Sequence, residues 1–440
     1  DYKTYKTKIM AKPKLALIPA TQGSKLYSVL PADGVGDFTF SRNSAATRIN
    51  KDGLIETVAS GVSRLNYPLI DGVVNGCPSH LLEPSRLQKI QYSEAFDNAY
   101  WTKSGSSVVS NQLSPKGDLS AFKLLNSAVT STHYLKKEPI SVASGVDYTF
   151  SILAKKGEND FITVMLQGTG WLGSSKQVSF NLANGTFDYA DTGLTYKSTL
   201  LSSGFYRIEV TNETASTSVN LRVYTSATVN NTSSYLGDGS SGVYIWGAQL
   251  EQGSYATSYI PNYGTSAGIT RSAETANGAG DASTFNDSEG VLMAEISALA
   301  NSGNGQIRIL EQGVLNSVIM EFRNSGTTLR TYIFNGNATN QFFSETNINP
   351  NDNIKIALKY KQNDCSLYLN GFISATDTIA TMPSNLNTLS FNQGNGGNPF
   401  YGNTKQLQYF DSALNDSELE TITSWTSFTD LANGQQYSIK

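Results

Sequence analysis

Val146-Asp147-Tyr148-Thr149-Phe150-Ser151-Ile152 decides the fold of this chain. Val146, Tyr148, Phe150 and Ile152 fall on one side of an extended backbone, and Asp147, Thr149 and Ser151 on the other. A period of two marks a strand with one dry and one wet face. The alternation returns in Tyr206-Arg207-Ile208-Glu209-Val210 and in Val219-Asn220-Leu221-Arg222-Val223, with the turn signal Ala183-Asn184-Gly185 along the way. Antiparallel strands recurring between turns over residues 87–262 predict a jelly-roll-like β-sandwich.

Moving outward, residues 285–440 repeat the theme. Val291-Leu292-Met293-Ala294-Glu295-Ile296 reads as a strand, and Ile354, Ile356, Leu358 and Tyr360 alternate with Lys355, Lys359 and Lys361. Asn370-Gly371 is a hairpin signal, since both turn positions need positive φ. One short helix is signed near the end, where Asn415 caps, Glu418 closes the box and Leu414 staples against Leu419. Between the two sandwiches, residues 263–284 are rich in Gly, Ala, Ser and Thr and read as a linker. Residues 1–86 hold many turns and short extended pieces such as Asp37–Ser41 and Leu54–Val58. Few of these alternate cleanly, which predicts a segment without its own core that packs on other chains, an anchoring and assembly segment. Asp1–Ile9, ahead of Met10, carries no weight in this reading. The fold class is therefore all-β.

Composition agrees. Charged residues make up 15% of the 440, against about 25% in average globular proteins, so Ser, Thr, Asn and Gly must cover much of the surface. Strands and turns use such side chains where helices use Glu and Lys. A net charge of −4 at pH 7 offers no basic stripe and predicts no nucleic-acid partner. No apolar run reaches about eighteen residues, so no membrane insertion is expected. Leu15–Pro19 is too short for a signal peptide, and release in an assembled virus particle is a route outward that needs none. Cys77 and Cys365 read as buried free thiols from a reducing cytosol.

Chemistry is sparsely signed. His80 and His133 have no Cys, Asp or second His at ligand spacing and read as structural. A sandwich glycosidase needs two carboxylates about the scissile bond, whereas Ala294-Glu295-Ile296-Ser297 shows none two or five residues after Glu295. Asp238-Gly239 could offer calcium an oxygen but reads as a plain turn. No enzyme, metal or cofactor is expected. Sugar binding would show in exposed aromatic rings. Trp171, in the glycine-rich Gly168-Thr169-Gly170-Trp171-Leu172-Gly173, and Tyr401, after Gly396-Gly397-Asn398-Pro399-Phe400, are the candidate carbohydrate-binding residues. Trp101 and Trp246 read as core.

Three stretches carry a family resemblance. Phe38–Arg48, continuing through Lys51–Glu56 to Cys77-Pro78 and Leu81–Arg86, resembles the N-terminal part of phage head-spike and tail-fibre proteins, notably from crAss-like and other phages of Bacteroidota. Tyr92–Asp97 with Trp101, and the distant Ile245–Gly253 and Ala256–Pro261, are similar to the first and last strands of an accompanying carbohydrate-binding-module-like jelly roll. Leu367–Gly371, Leu407–Phe410 and the helix after Leu414 resemble a concanavalin-A or laminin-G-like sandwich. The resemblance implies a homotrimeric fibre or spike on the virion surface, made in the host cytoplasm. It also implies an N-terminal region held by other virion proteins, of capsid or tail, and carries over no catalytic residue. Weak adhesion to bacterial surface glycans is the expected role. A fibre-borne polysaccharide depolymerase and a capsid decoration without ligand are the alternatives.

Overall fold

The computed structural model describes residues 11–299, 305–310, 316–324, 327–336, 338–349, 352–394 and 396–425, so Asp1–Ile9 lies outside the described residues. The protein is all-β, with Asp416–Ser424 the one helix among the described residues.

Two six-stranded antiparallel sheets form the first sandwich. One runs in the order Ser106–Gln112, Ala121–Asn126, Gly242–Gln252, Asp147–Lys156, Tyr206–Glu213, Thr195–Leu200. The other runs Thr102–Ser104, Tyr134–Ser141, Ser218–Ser226, Phe161–Gln167, Lys176–Asn181, Thr186–Ala190. Phe150, Ile152, Ile208 and Val210 of the first meet Ile162, Val164, Leu221 and Val223 of the second in one core. This is the side that the alternation assigned to the interior.

The reverse of the first sheet is not wet, as the alternation predicts, but buried. Thr149, Ser151, Leu153, Trp246, Gln249 and Glu251 all lie out of solvent there. The cover is shared by residues 257–260, where Thr257 donates to Glu251 and Ile260 N to Gln249, and by the N-terminal segment, whose Ile55 packs with Leu153, Leu201, Phe205, Trp246 and Tyr259 in a separate apolar cluster. The hydroxyls tolerate burial because they are paired: the Thr149 and Thr211 hydroxyls lie 2.6 Å apart, and Thr149 Oγ1 donates to the Gly253 carbonyl at 2.8 Å. We call this the covered sheet and its partner, whose outer face remains accessible, the open sheet.

The second sandwich sets an eight-stranded sheet against a five-stranded one among the described residues. Its central strands are Glu289–Ala298, Ile354–Lys361 and Gly402–Phe410. Leu292, Ala294 and Ile296 face the other sheet, while Val291 and Met293 face outward under the helix residues Leu419 and Ile422. The helix begins as expected, with the Asn415 side chain accepting from Glu418 N and the Glu418 carboxylate accepting from Asn415 N. Leu414 and Leu419 share one buried cluster. Asn370 and Gly371 take the positive φ values, 48° and 89°, that their hairpin needs.

The N-terminal segment does lack a core of its own, but its partners belong to the same chain. Leu15–Leu17 pairs with Gly402–Phe410, Leu15 opposite Tyr409. Ser79–Leu82 pairs farther along that strand, and Leu65–Asn66 extends the sheet beyond it. The supposed linker, residues 263–284, is also structural: Ile269–Arg271 pairs with Arg86–Gln88, and Thr275–Asn277 with Phe38–Ser41. Its small, polar composition misled because its buried members, Arg271, Glu274, Ala276, Ala279 and Thr284, include only charged and small side chains.

Those charges form a knot. Glu274 accepts from Arg42 Nη1 at 2.6 Å, from Arg64 Nε at 2.8 Å and Nη2, and from the Glu83 amide at 2.8 Å. Glu83 in turn pairs with Arg64 at 2.9 Å and Arg271 at 3.4 Å and accepts from the Ser258 amide at 2.8 Å. Three guanidiniums thus face two carboxylates out of water. The surplus positive charge rests on carbonyl oxygens of Ser44, Val58, Ala59, Thr47 and Pro84. The knot ties the N-terminal segment to the 263–284 stretch and to the end of the first sandwich at Ser258.

Candidate functional site

The two aromatic candidates are not surface platforms. Trp171 is only 1% exposed, sits in the core of the first sandwich and donates its indole N–H to the Asn220 carbonyl at 3.1 Å. The glycine-rich loop around it folds inward because Gly170 lets the backbone approach Ser218, where a Cβ would lie 2.1 Å from a carbonyl oxygen. Tyr401 is half-buried against the core of the second sandwich. Burial pushes its phenol up, with Arg271 and Arg86 pulling the other way. Trp101 and Trp246 are core residues, as expected.

The outer face of the open sheet carries aromatic and polar groups, of which Tyr189 is exposed, Tyr134, Lys136, Arg222, Met165 and Gln177 are half-buried, and Tyr224, Thr163 and Ser179 are buried. Its register aligns Tyr134, Tyr224, Thr163, Ser179 and Tyr189 in one row across five strands. Lys136, Arg222, Met165 and Gln177 form the next row. Leu135, Val223, Val164 and Val178 point the other way into the core, and this fixes both rows on the outer face.

At one end the Tyr134 and Tyr224 rings lie 5.0 Å apart, and the Arg222 guanidinium sits 4.9 Å from the Tyr134 ring. Glu138 neutralises Lys136 and reaches Arg222 at 3.6 Å; the Lys136 bond, with both cations, holds its carboxyl below the usual range. Burial raises the Tyr224 phenol, against the pull of Arg222. At the other end Asp191 accepts from the Tyr189 hydroxyl at 2.6 Å and the Gln177 amide at 2.7 Å. The Tyr189 phenol is raised chiefly by that bond. The loop after Ser218–Ser226 leans in, Asn230 N donating to Ser179 Oγ at 2.9 Å and its side chain accepting from Gln177 Nε2.

Two polar atoms on this face have no hydrogen-bond partner among the described residues: Arg222 Nε and Gln177 Oε1. Both atoms are buried, so what this face offers a ligand is the Tyr134 and Tyr189 rings, which can take a C–H face, and the half-buried Lys136 and Arg222 head groups, which can take hydroxyl groups. Sequence reading missed these residues individually because an outward tyrosine in a strand looks the same whether it packs or binds. The cross-strand register is what joins them.

The remaining candidates are structural. His133 lies between the carbonyl oxygens of Gly105 and Tyr235, the latter 3.0 Å from Nε2. His80 is buried, and burial lowers its imidazole to about 3. Asp238 caps a plain turn, accepting from the Ser240 and Ser241 amides at 2.8 and 2.7 Å. Glu295 faces Lys355 and Gln406 across its two neighbouring strands and accepts from Asn353 and Gln406. Cys365 is buried but Cys77 is exposed, contrary to expectation, on the turn before Ser79–Leu82. Among the described residues no group of three or more His, Cys, Asp or Glu could hold a metal ion.

Fold and face together describe a two-sandwich protein whose first sandwich presents a polar and aromatic open sheet. No family model and no curated protein matches the chain. Among solved structures, the chain is similar to a Ruminococcus gnavus IT-sialidase CBM40 bound to α2,3-sialyllactose, at 17% identity and TM-score 0.29 over 34% of this chain and 94% of that one. It is similar to domain 4 of AbnA, a GH43 extracellular arabinanase of Geobacillus stearothermophilus, in complex with arabinotriose: 10% identity, TM-score 0.28, covering 34% of this chain and 73% of that one. A third is the Trypanosoma rangeli sialidase in complex with sialic acid, at 11% identity and TM-score 0.26, covering 69% of this chain and 60% of that one.

Proposed function

We propose that this chain is an adhesion protein that holds bacterial surface glycan on the open sheet, as a head or tail fibre or spike of a phage particle. The observation that carries the binding half is the outer face of the open sheet, where the Tyr134 and Tyr189 rings stand with the Lys136 and Arg222 side chains. The virion half is supported by the resemblance of Phe38–Arg48 and Leu81–Arg86 to phage head-spike and tail-fibre proteins. Single contacts on an open sheet are weak, and many copies on one particle multiply them by raising the effective concentration.

Homotrimeric assembly belongs to the same reading. The N-terminal segment does not demand it, since its apolar partners lie within the chain. Exposed apolar side chains at the sheet edge around Phe372, Ile373 and Ile379 are surface that self-association would cover.

The test is a screen of the purified protein, sized by light scattering, against glycans and capsule from candidate hosts. Arg222→Met and Tyr189→Ala should each weaken binding about tenfold or more, because each removes a charge-assisted or stacking contact. Unaltered binding in both variants would remove the open sheet as the site. Release of reducing sugar from capsule would turn the reading to a depolymerase.

A further inference from the structure

A second recessed surface lies where the three parts of the chain meet. A cleft of about 220 Å³ is lined by Ile49, Ile55 and Asn66 of the N-terminal segment, by Thr199, Arg207 and Glu209 of the covered sheet, and by Asn403 of the second sandwich. Arg207 and Glu209 leave the strand Tyr206–Glu213 on the side opposite the core residues Ile208 and Val210, so both face this junction. Arg207 Nη2 donates to Ser151 Oγ at 3.1 Å, while its buried Nε has no hydrogen-bond partner among the described residues.

The charges decide what fits. Arg48 is matched by Glu56 at 2.9 Å, and Glu83 by Arg64 and Arg271. That leaves Arg207 and Glu209, one of each sign, so the lining is close to neutral overall and does not favour an anion. Its apolar patch, Ile49, Ile55, Leu69 and Leu201, stands beside amide, hydroxyl, guanidinium and carboxylate groups. The volume falls below the roughly 300–1,000 Å³ that encloses a drug-sized ligand, which limits the occupant to about one ring. A pyranose has an apolar C–H face and hydroxyls that both donate and accept, and it matches such a lining.

We propose that the junction cleft is a second saccharide site that takes one neutral pyranose unit. The site does not rest on the open-sheet reading, because it shares no residue with that face. Occupied, it would bridge all three parts of the chain through Asn66, Arg207 and Asn403.

The experiment is titration of the full chain with the methyl glycosides of glucose, galactose, mannose and N-acetylglucosamine. Glucuronate and N-acetylneuraminate serve as charged comparators, and binding is followed by saturation-transfer nuclear magnetic resonance. Arg207→Met removes the unpaired donor, Thr199→Trp fills the cleft, and Arg222→Met disables the open sheet. The expected result is binding of at least one neutral glycoside that survives Arg222→Met and falls tenfold or more in Arg207→Met and Thr199→Trp. Should Thr199→Trp misfold, as thermal denaturation would show, Arg207→Met still decides. The proposal is overturned if no neutral glycoside binds, if Arg207→Met leaves binding intact, if binding vanishes with Arg222→Met, or if the charged comparators bind the cleft more tightly than every neutral one.

Discussion

Glu274→Gln should unlatch the Phe38–Ile49 part of the N-terminal segment without unfolding the first sandwich. The native carboxylate accepts from two guanidiniums and a backbone amide with no exposure to water. Glutamine keeps one acceptor oxygen but turns an N–H donor toward groups that are themselves donors. It also raises the imbalance of the knot from three cations against two anions to three against one. Breaking a buried pair by removing one partner costs about 3–5 kcal/mol, chiefly through the uncompensated charge left behind. At 1.4 kcal/mol per factor of ten, the open population of the segment should rise on the order of 10²–10³-fold. Native-state hydrogen exchange reads this directly. Amides of Phe38–Ser41, Ala46–Ile49 and Thr275–Asn277 should lose protection together, while those of Phe161–Gln167 in the first sandwich keep theirs. Uniform loss everywhere, or a change below about 1 kcal/mol, would refute the idea that this knot is the latch. Pairing Glu274→Gln with Arg42→Met should recover part of the loss, since the double variant buries one cation fewer.

Acid should weaken the protein by two routes with the same sign. Pairing with Arg271 and Arg64 overrides burial and holds Glu83 at about 2, against an ordinary 4.5, so its contribution is full above pH 4.5 and lost as pH falls towards 2. His80 stays neutral when folded down to about 3, against an ordinary 6.5, so the unfolded chain takes up a proton first and stability falls through that interval. His80→Leu should therefore flatten the pH dependence of urea unfolding between pH 6.5 and 4 by up to about 1.4 kcal/mol per pH unit; an unchanged slope would exclude this role. Trp171→Ala should cost about 3–5 kcal/mol in denaturant unfolding and leave glycan affinity unchanged in material that remains folded. Gly371→Ala combines positive φ with a Cβ 3.2 Å from that of Ser424, and should lower the melting temperature through a loss of about 1 kcal/mol or more.

The strands of both sandwiches were readable because their inner faces repeat every second residue: Tyr148, Phe150 and Ile152, or Ile354, Ile356 and Leu358. The capping box at Asn415 was readable because it is local. What alternation could not show is that a third layer lies on the covered sheet. Thr149 and Ser151 look solvent-facing in sequence, yet Thr149 bonds to the Gly253 carbonyl and Ser151 accepts from Arg207 beneath a cover that alternation does not reveal. The same blindness made residues 263–284 look like a spacer: Arg271 and Glu274 have their partners at Pro84, Glu83, Arg64 and Arg42, and nothing in the local sequence announces pairing at that distance. Trp171 misled through its glycines, which signal close backbone approach as readily as an exposed loop. The open sheet was legible as polar strands, but not as a constellation, because the row from Tyr134 to Tyr189 draws on five strands.

The knot and the shared sheet also set a timetable. Arg42 and Glu274 are 232 residues apart, and the partner of Leu15 is Tyr409. At a synthesis rate of about 5–20 residues per second, the segment around Arg42 waits roughly 10–50 s for its counter-charge. Leu15–Leu17 waits longer still for the strand Gly402–Phe410. During that time the first sandwich can close on its own, since all twelve of its strands lie between residues 102 and 252. The leading segment meanwhile remains an unpaired arm carrying apolar and arginine side chains. A chain broken off between residues 284 and 402 can still close the knot but leaves Leu15–Leu17 and Ser79–Leu82 without their partner strand, a mark for proteases and chaperones that chains carrying Gly402–Phe410 lack. The pairing of Leu15 with Tyr409 thus makes synthesis of the strand Gly402–Phe410 a condition for covering Leu15–Leu17.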